Sequence, residues 1–319
     1  MPFVTVGEEN GADIRIHFND HGSGRPIVLI HGYPLDGNSW ERQERVLLEA
    51  GYRCISYDRR GFGSSSQPST GYDYDTFAAD LKALLDHLAL GEDVVLAGFS
   101  MGTGEVTRYL GTYGSAGVSK AALFGVIPPF LLKTDDNPQG VPGEVFDGIK
   151  AAIVADRYAY FDDFFANFYN TDVLAPERIG DAALRASFQV AAGAGPHATY
   201  ACVDSWLTDF RGDLPKIDVP TLVVHGTADR ILPFEATGPG SATSGSSPIS
   251  PSSRCPTART TSGGPTPTRS TPRSWTSCDA DHRGGRSTTG AAPAAQIGEV
   301  RRLGACRRRP TSSWGGRGR

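Results

Sequence analysis

A serine flanked by glycines is the first residue of this sequence whose setting could support covalent chemistry. Gly98-Phe99-Ser100-Met101-Gly102 fits the pattern G-x-S-x-G, and the apolar run DVVLA directly precedes it. A nucleophilic serine of this kind sits on a sharp, strained turn from strand to helix, where side chains at the flanking positions would collide. The pattern therefore predicts Ser100 as a nucleophile at the start of a helix. The alternative is a glycine-rich turn with a structural role alone.

The stretch His31-Gly32-Tyr33-Pro34 follows an earlier apolar run and could complete such a site. Attack on a carbonyl group places negative charge on its oxygen, and that charge needs fixed donors. We expect the donors to be the backbone N–H groups of Tyr33, after the His-Gly pair, and of Met101, after the serine. His31 itself is expected to shape the turn and not to act as a base.

An acidic residue, Asp229, follows the last apolar run in the stretch HGTADRILP. An acid at the end of a strand can orient a catalytic histidine and balance its charge. The alternative is an aspartate that caps a helix or stabilises a turn. His225, four residues earlier, is expected to be structural.

Five short apolar runs alternate with helical segments and would position these residues. The runs are 26–32, 53–61, 93–100, 120–129 and 220–229, and a β-hairpin with Asn10-Gly11 at its turn precedes them. This alternation predicts an α/β fold with a mostly parallel, doubly wound sheet. Residues 130–215 are helical and rich in aromatic residues, which predicts a cap over the sheet edge where ligands bind.

The composition changes sharply near residue 238. Residues 238–319 contain only four residues of the Leu, Ile, Val and Phe types, and thirteen Arg against three acids give them a net charge of +10. Since the whole chain carries −4, residues 1–237 carry −14. We therefore expect one domain over 1–237, with its core in 1–129 and 216–237. The tail 238–319 has too few apolar residues for a core and is expected to be irregular or disordered.

Several function classes find no support in the sequence. The charged N-terminal stretch does not fit a signal peptide, and no apolar run approaches the length of a membrane span. The five cysteines follow no disulfide or metal spacing, so a cytoplasmic location is expected. The sequence leaves the oligomeric state open, and a homo-oligomer is compatible with it.

Four blocks carry a resemblance to a known family: HGYPLDGNSWERQ, YDRRGFGSSSQPSTGYDYDTFAADL, GFSMGTGEVTRYLGTYGS and DFRGDLPKIDVPTLVVHGTADRILP. Over residues 3–237 the chain resembles the α/β-hydrolase superfamily, and within it the cofactor-free bacterial haloperoxidases, or perhydrolases, and their aryl-esterase relatives. The resemblance implies a Ser-Asp-His triad with Ser100 as nucleophile, Asp229 as acid, and Tyr33 and Met101 as oxyanion donors. It implies no cofactor, neither haem nor metal. It also implies an ester or carboxylic acid substrate, hydrogen peroxide as acyl acceptor and a peracid that oxidises halide.

The histidine that this resemblance implies is missing from the chain. It would follow the next strand, yet residues 254–276 contain no histidine, and His282 has no predicted strand before it. If the tail is read one base out of frame, the codon at Thr260 permits His, and the codons that follow permit a family-like block. We therefore predict a frameshift near residue 238. Such a shift in a GC-rich gene explains the arginines without a nucleic-acid partner.

Two alternatives to an esterase and perhydrolase remain, and a third is disfavoured. A lactonase or C–C hydrolase would use the same residues, because the cap decides the substrate. An epoxide hydrolase or haloalkane dehalogenase is disfavoured, since those enzymes use Asp where this chain has Ser100. Finally, loss of the base costs on the order of 10⁴–10⁶ in rate, so the chain as written could be an inactive remnant or a ligand-binding module.

Overall fold

The computed structural model describes residues 2–237 and, as backbone, residues 300–303. The described strands form one eight-stranded sheet in the order β1-β2-β4-β3-β5-β6-β7-β8. Their bounds are β1 Phe3–Glu9, β2 Ala12–His21, β3 Pro26–Ile30, β4 Arg53–Tyr57, β5 Val94–Phe99, β6 Val118–Phe124, β7 Thr221–Gly226 and β8 Val300–Leu303. The five strands β4, β3, β5, β6 and β7 run parallel, as the alternating pattern predicts.

The first two strands form the predicted hairpin. β1 pairs antiparallel with β2, and the turn residues Asn10 and Gly11 both have positive φ, at 52° and 77°. Two residues with positive φ match the twist of the flanking strands, which is why Asn-Gly is favoured there. β2 then pairs antiparallel with β4 and joins the hairpin to the parallel part of the sheet.

Helices cover both faces of the parallel strands, so the strand residues are apolar without alternation. The helices around the sheet are α1 Glu41–Glu49, α2 Tyr74–His87 and α3 Met101–Tyr113. Asp73 caps the N-terminus of α2, and its side chain accepts a hydrogen bond from the Thr76 N–H. Leu81 and Leu84 of this helix are fully buried together with Val28 of β3 and Leu96 of β5.

Four helices lie within the interval predicted as a cap: α4 Gly143–Phe168, α5 Thr171–Leu174, α6 Asp181–Gly193 and α7 Pro196–Ser205. α4 is interrupted at Asp156, whose Oδ1 accepts from the N–H groups of Tyr158 and Ala159 and so starts its second half. The four phenylalanines of this half, Phe161, Phe164, Phe165 and Phe168, are buried in the same cluster as Phe99 and Met101 beside Ser100. A short helix, α8 Phe234–Thr237, ends the described domain.

One strand lies in the tail for which the sequence predicted no regular element. β8 pairs antiparallel with β7, with Leu303 opposite Val223 and Val300 opposite Gly226. The edge strand β7 has unpaired backbone N–H and C=O groups, and any extended segment can form hydrogen bonds with them. The pairing therefore does not depend on an apolar pattern in the sequence, and no signal in the sequence predicts it. The remaining tail lies outside the described residues, and its predicted irregular state stays a prediction.

Candidate active site

Ser100 lies on the turn between β5 and α3, in an unusual backbone conformation. Its φ is +52° and its ψ is −118°, a region that a residue with a side chain occupies only under strain. The Ser100 N–H donates to the Phe124 carbonyl at the end of β6 at 2.8 Å, which holds the turn against the neighbouring strand. The side chain is partly exposed although the residues around it are buried.

The two glycines of the G-x-S-x-G pattern are required by close backbone contacts. A Cβ atom on Gly98 would lie less than 3.0 Å from the Gly102 carbonyl oxygen. One on Gly102 would lie less than 3.0 Å from the Ile30 carbonyl oxygen of β3. These contacts confirm the predicted turn from strand to helix.

The turn His31-Gly32-Tyr33 lies directly against Ser100. A Cβ atom on Gly32 would come within 2.9 Å of the Ser100 Cβ. The structure thus brings together the two segments from which the oxyanion donors, the N–H groups of Tyr33 and Met101, were predicted. The Tyr33 ring points into the cap, where it packs edge-on against Trp206 at 4.8 Å and Phe164 at 5.9 Å between ring centroids.

His31 is fully buried and its two ring nitrogens have different roles. Nε2 accepts the Arg59 N–H at 2.9 Å, so the proton is on Nδ1, which donates to the Gly32 carbonyl at 2.9 Å. Burial, followed by the charge of Arg59, holds the pKa of His31 well below its usual 6.5, although the bond to Gly32 acts in the opposite direction. His31 is therefore neutral and is not a base for Ser100.

Asp229 lies past the end of β7, at the same sheet edge as Ser100. Its Oδ1 accepts the N–H groups of Ile231 and Leu232 at 2.9 and 2.8 Å, and its Oδ2 lies 3.5 Å from His225 Nε2. The aspartate stabilises a turn, which was the alternative to a catalytic role, and its side chain is also fully buried beside a histidine. The two roles are compatible, and the catalytic one stays a prediction.

His225 is held by backbone groups on both sides. Its Nδ1 accepts the Val126 N–H at 3.2 Å, and its Nε2 donates to the Leu232 carbonyl at 2.8 Å. The next residue of the same turn, Ile127, donates its N–H to Thr103 Oγ1 at 3.0 Å, and Thr103 in turn donates to the Ser100 carbonyl. The turn after β6 thus connects the serine and the acid through hydrogen bonds.

Six of the seven histidines of the chain are described, and none of them hydrogen-bonds to the Ser100 hydroxyl. Besides His31 and His225, the others contact Asp58, Glu44, the Phe18 ring and the Ser69 carbonyl. His282 and Thr260 lie outside the described residues. The prediction that the base is missing near Thr260 is therefore neither confirmed nor contradicted.

The sequence reading missed a buried ion pair beneath the site. Arg59 and Glu105 are almost completely buried, and Arg59 Nη2 lies 2.7 Å from Glu105 Oε2. The Tyr57 hydroxyl donates to the other carboxylate oxygen, and Arg59 Nη2 also donates to the His31 carbonyl at 3.0 Å. Thr103 was missed as well. A threonine three residues after a serine is too common for its spacing to be a signal.

Within residues 2–237, no group of three or more His, Cys, Asp or Glu side chains could hold a metal ion. In the same part of the chain, no helix combines the length and the apolar character needed to cross a bilayer.

Comparison with known proteins identifies the family. Residues 25–241 match the model of the alpha/beta hydrolase fold. The chain belongs to this family. Its sheet order, the turn at Ser100 and the helices over the sheet edge agree with that assignment.

Several relatives share about three quarters of the chain. A Synechocystis protein with a provisional non-heme chloroperoxidase name is 66% identical over 237 residues, which are 74% of this chain and 86% of the relative. The non-heme chloroperoxidase CPO-A1 of Kitasatospora aureofaciens is 42% identical over 76% of this chain and 86% of its own. The crystal structure of a bromoperoxidase from Bacillus anthracis, at 44% identity, superposes with a TM-score of 0.72 and covers 76% of this chain and 86% of its own.

Proposed function

We propose that this hydrolase is a serine esterase that also transfers its acyl group to hydrogen peroxide. The observation that carries the proposal is the strained turn that presents Ser100 beside the His31-Gly32-Tyr33 turn. The names of the relatives support the chemistry: several are non-heme chloroperoxidases, and one from Acinetobacter calcoaceticus is a bifunctional esterase/perhydrolase, 33% identical over 76% of this chain.

In the proposed reaction the Ser100 Oγ attacks the carbonyl carbon of a small ester. The negative charge that develops on the carbonyl oxygen is stabilised by the N–H groups of Tyr33 and Met101. Collapse of the tetrahedral intermediate breaks the bond to the alcohol, which leaves with the proton of the serine and gives an acyl-enzyme. Asp229 has the role of orienting the base that carries this proton.

Water or hydrogen peroxide then attacks the acyl-enzyme. Water releases a carboxylic acid. With hydrogen peroxide, one of its two equivalent oxygens bonds to the acyl carbon, the bond from that carbon to Ser100 Oγ breaks, and a peracid is released. In both cases Ser100 regains its proton. The peracid then oxidises a halide in solution, so no halide site on the protein is needed. The proposal includes a cytoplasmic location and no nucleic-acid partner.

The base is the part of the site that the chain as written does not supply. The family match ends at residue 241, close to the change in composition at residue 238. That coincidence supports a frameshift, and it favours a family histidine at the place of Thr260 over His282 as the original base.

The test compares the full chain with its Ser100→Ala and His282→Ala variants and with a version whose tail is read in the alternative frame. We would measure three quantities: hydrolysis of 4-nitrophenyl acetate, acetylation of Ser100 by mass spectrometry, and peroxide-dependent bromination in acetate buffer. We expect acetylation to be lost in Ser100→Ala, no change in His282→Ala, and a gain on the order of 10⁴ in the frame-restored version. A fully active chain that loses its activity in His282→Ala would contradict the frameshift.

A further inference from the structure

The two predicted oxyanion donors share a feature that follows from peptide geometry. A peptide unit is planar, so its N–H and its C=O point in opposite directions along one rigid plane. The Tyr33 N–H belongs to the same unit as the Gly32 C=O, and the Met101 N–H to the same unit as the Ser100 C=O. Whatever holds either carbonyl therefore also aims the N–H at the other end of that plane.

The Gly32 carbonyl accepts two hydrogen bonds. One comes from the His31 Nδ1–H at 2.9 Å and the other from the Leu35 N–H at 3.1 Å. His31 is itself fixed, because the Arg59 N–H donates to its Nε2 and the Arg59 guanidinium donates to its carbonyl. The ring can therefore neither rotate nor exchange its tautomer without breaking a buried hydrogen bond, which costs free energy.

The Ser100 carbonyl also accepts two hydrogen bonds, both from Thr103. The Thr103 N–H lies at 2.9 Å and the Thr103 Oγ1 at 2.6 Å. The hydroxyl hydrogen points to this carbonyl because the other side of Oγ1 accepts the Ile127 N–H at 3.0 Å. Each of the two peptide planes is thus held by two donors, one from a side chain and one from a backbone N–H.

We propose that His31 and Thr103 are positioning residues of the oxyanion hole, each of which aims one backbone donor by holding the carbonyl of the same peptide unit. Neither touches the reacting atoms. Two hydrogen bonds to a carbonyl also polarise its peptide unit and make the opposite N–H a stronger donor. This inference rests on the proposed function, because it takes Tyr33 and Met101 as the donors.

The test uses the full chain as written, because the catalysis that persists without a triad base comes from the oxyanion hole and from binding. Thr103→Val keeps the shape of the side chain and removes its hydroxyl. Thr107→Val is the matched control. Thr107 lies in the same helix, and its hydroxyl also donates to a backbone carbonyl of the preceding turn, that of Thr103, at 2.8 Å. The kcat and KM for 4-nitrophenyl acetate are measured for each protein.

We expect Thr103→Val to lower kcat by about tenfold to a hundredfold, less than the 10²–10³ for a donor removed outright. KM should change less than twofold, because the donors act mainly on the transition state. Thr103→Ser keeps the hydroxyl and should restore kcat. His31→Leu should behave like Thr103→Val, while His31→Asn, whose Nδ2 can take the place of Nδ1, should regain most of the rate.

The failure of this inference differs from a failure of the proposed function. If Thr103→Val and Thr107→Val have the same kcat, or if Thr103→Ser does not restore the rate, Thr103 has no positioning role. If His31→Asn is as slow as His31→Leu although both are folded, the role of His31 is refuted. If Ser100 is not acetylated even in the version whose tail is read in the alternative frame, the serine mechanism itself is wrong, and the inference fails with it.

Discussion

His225 Nε2 lies 3.5 Å from Asp229 Oδ2, and both side chains are fully buried. His225 also joins two backbone segments, since it accepts from Val126 and donates to Leu232. The histidine is therefore a connector between the turn after β6 and the segment that carries the acid.

His225→Ala should lower the free energy of unfolding by about 2–4 kcal/mol, because it leaves the Val126 N–H and the Leu232 carbonyl without their partner in a buried place. Urea denaturation measures the change. His21→Ala is the control, since His21 bonds to Glu44 with 55% of its side chain exposed, and should cost less than about 1 kcal/mol. Equal losses in both variants would refute the connecting role of His225.

Gly102→Ala should destabilise the protein by about 2 kcal/mol or more, because the added methyl group would overlap the Ile30 carbonyl. Gly148→Ala is the matched control. Gly148 lies within α4, and a Cβ atom there would meet nothing within 4 Å. That variant should gain about 0.5–1 kcal/mol from the lower chain entropy of alanine. A stable Gly102→Ala protein would mean that the turn packs less closely against β3 than described.

Stability should fall as the pH is lowered through the ordinary range of histidine. The pKa of His31 is held well below 6.5 in the folded protein, whereas the unfolded chain takes up a proton near that value. Below about pH 6.5 the unfolded state therefore binds more protons, and each pH unit costs about 1.4 kcal/mol.

The measurement is the unfolding free energy of the wild type and of His31→Asn at about pH 7 and pH 5. The variant cannot titrate at this position, and the other groups are common to both proteins. The advantage of the wild type over the variant should therefore shrink by about 2 kcal/mol on acidification. A difference that is independent of pH would show that His31 takes up its proton over the same pH range in the folded and the unfolded chain.

Tyr33→Phe should cost about 1 kcal/mol, because the hydroxyl donates to the Thr199 carbonyl of α7 at 3.3 Å. The backbone N–H of Tyr33 is unchanged, so kcat for 4-nitrophenyl acetate should fall less than threefold. Tyr113→Phe, on a tyrosine that is 40% exposed, is the control for stability and should be neutral. A large loss of kcat in Tyr33→Phe would mean that the cap contact itself determines the position of the donor.

The sequence predicted those parts of the fold that depend on local patterns. Apolar runs predicted the parallel strands. Glycines at tight turns predicted the Asn10-Gly11 hairpin and the turn at Ser100. The Arg59–Glu105 pair could not be predicted, because its partners are 46 residues apart and meet only when the sheet has formed. The same holds for Thr103, whose role depends on a contact with Ile127 in another strand's turn.

Because the predicted donors are main-chain groups, alanine scanning of Tyr33 and Met101 would leave both N–H groups in place. A conventional scan of the pocket would therefore overlook the oxyanion hole and mark His31 and Thr103 as sensitive positions beside it. In such a scan the positions that lose activity would be those that hold the oxyanion hole, and not the residues that supply its donors. Direct removal of either donor requires a change in the backbone itself, such as replacement of the amide by an ester at position 33 or 101.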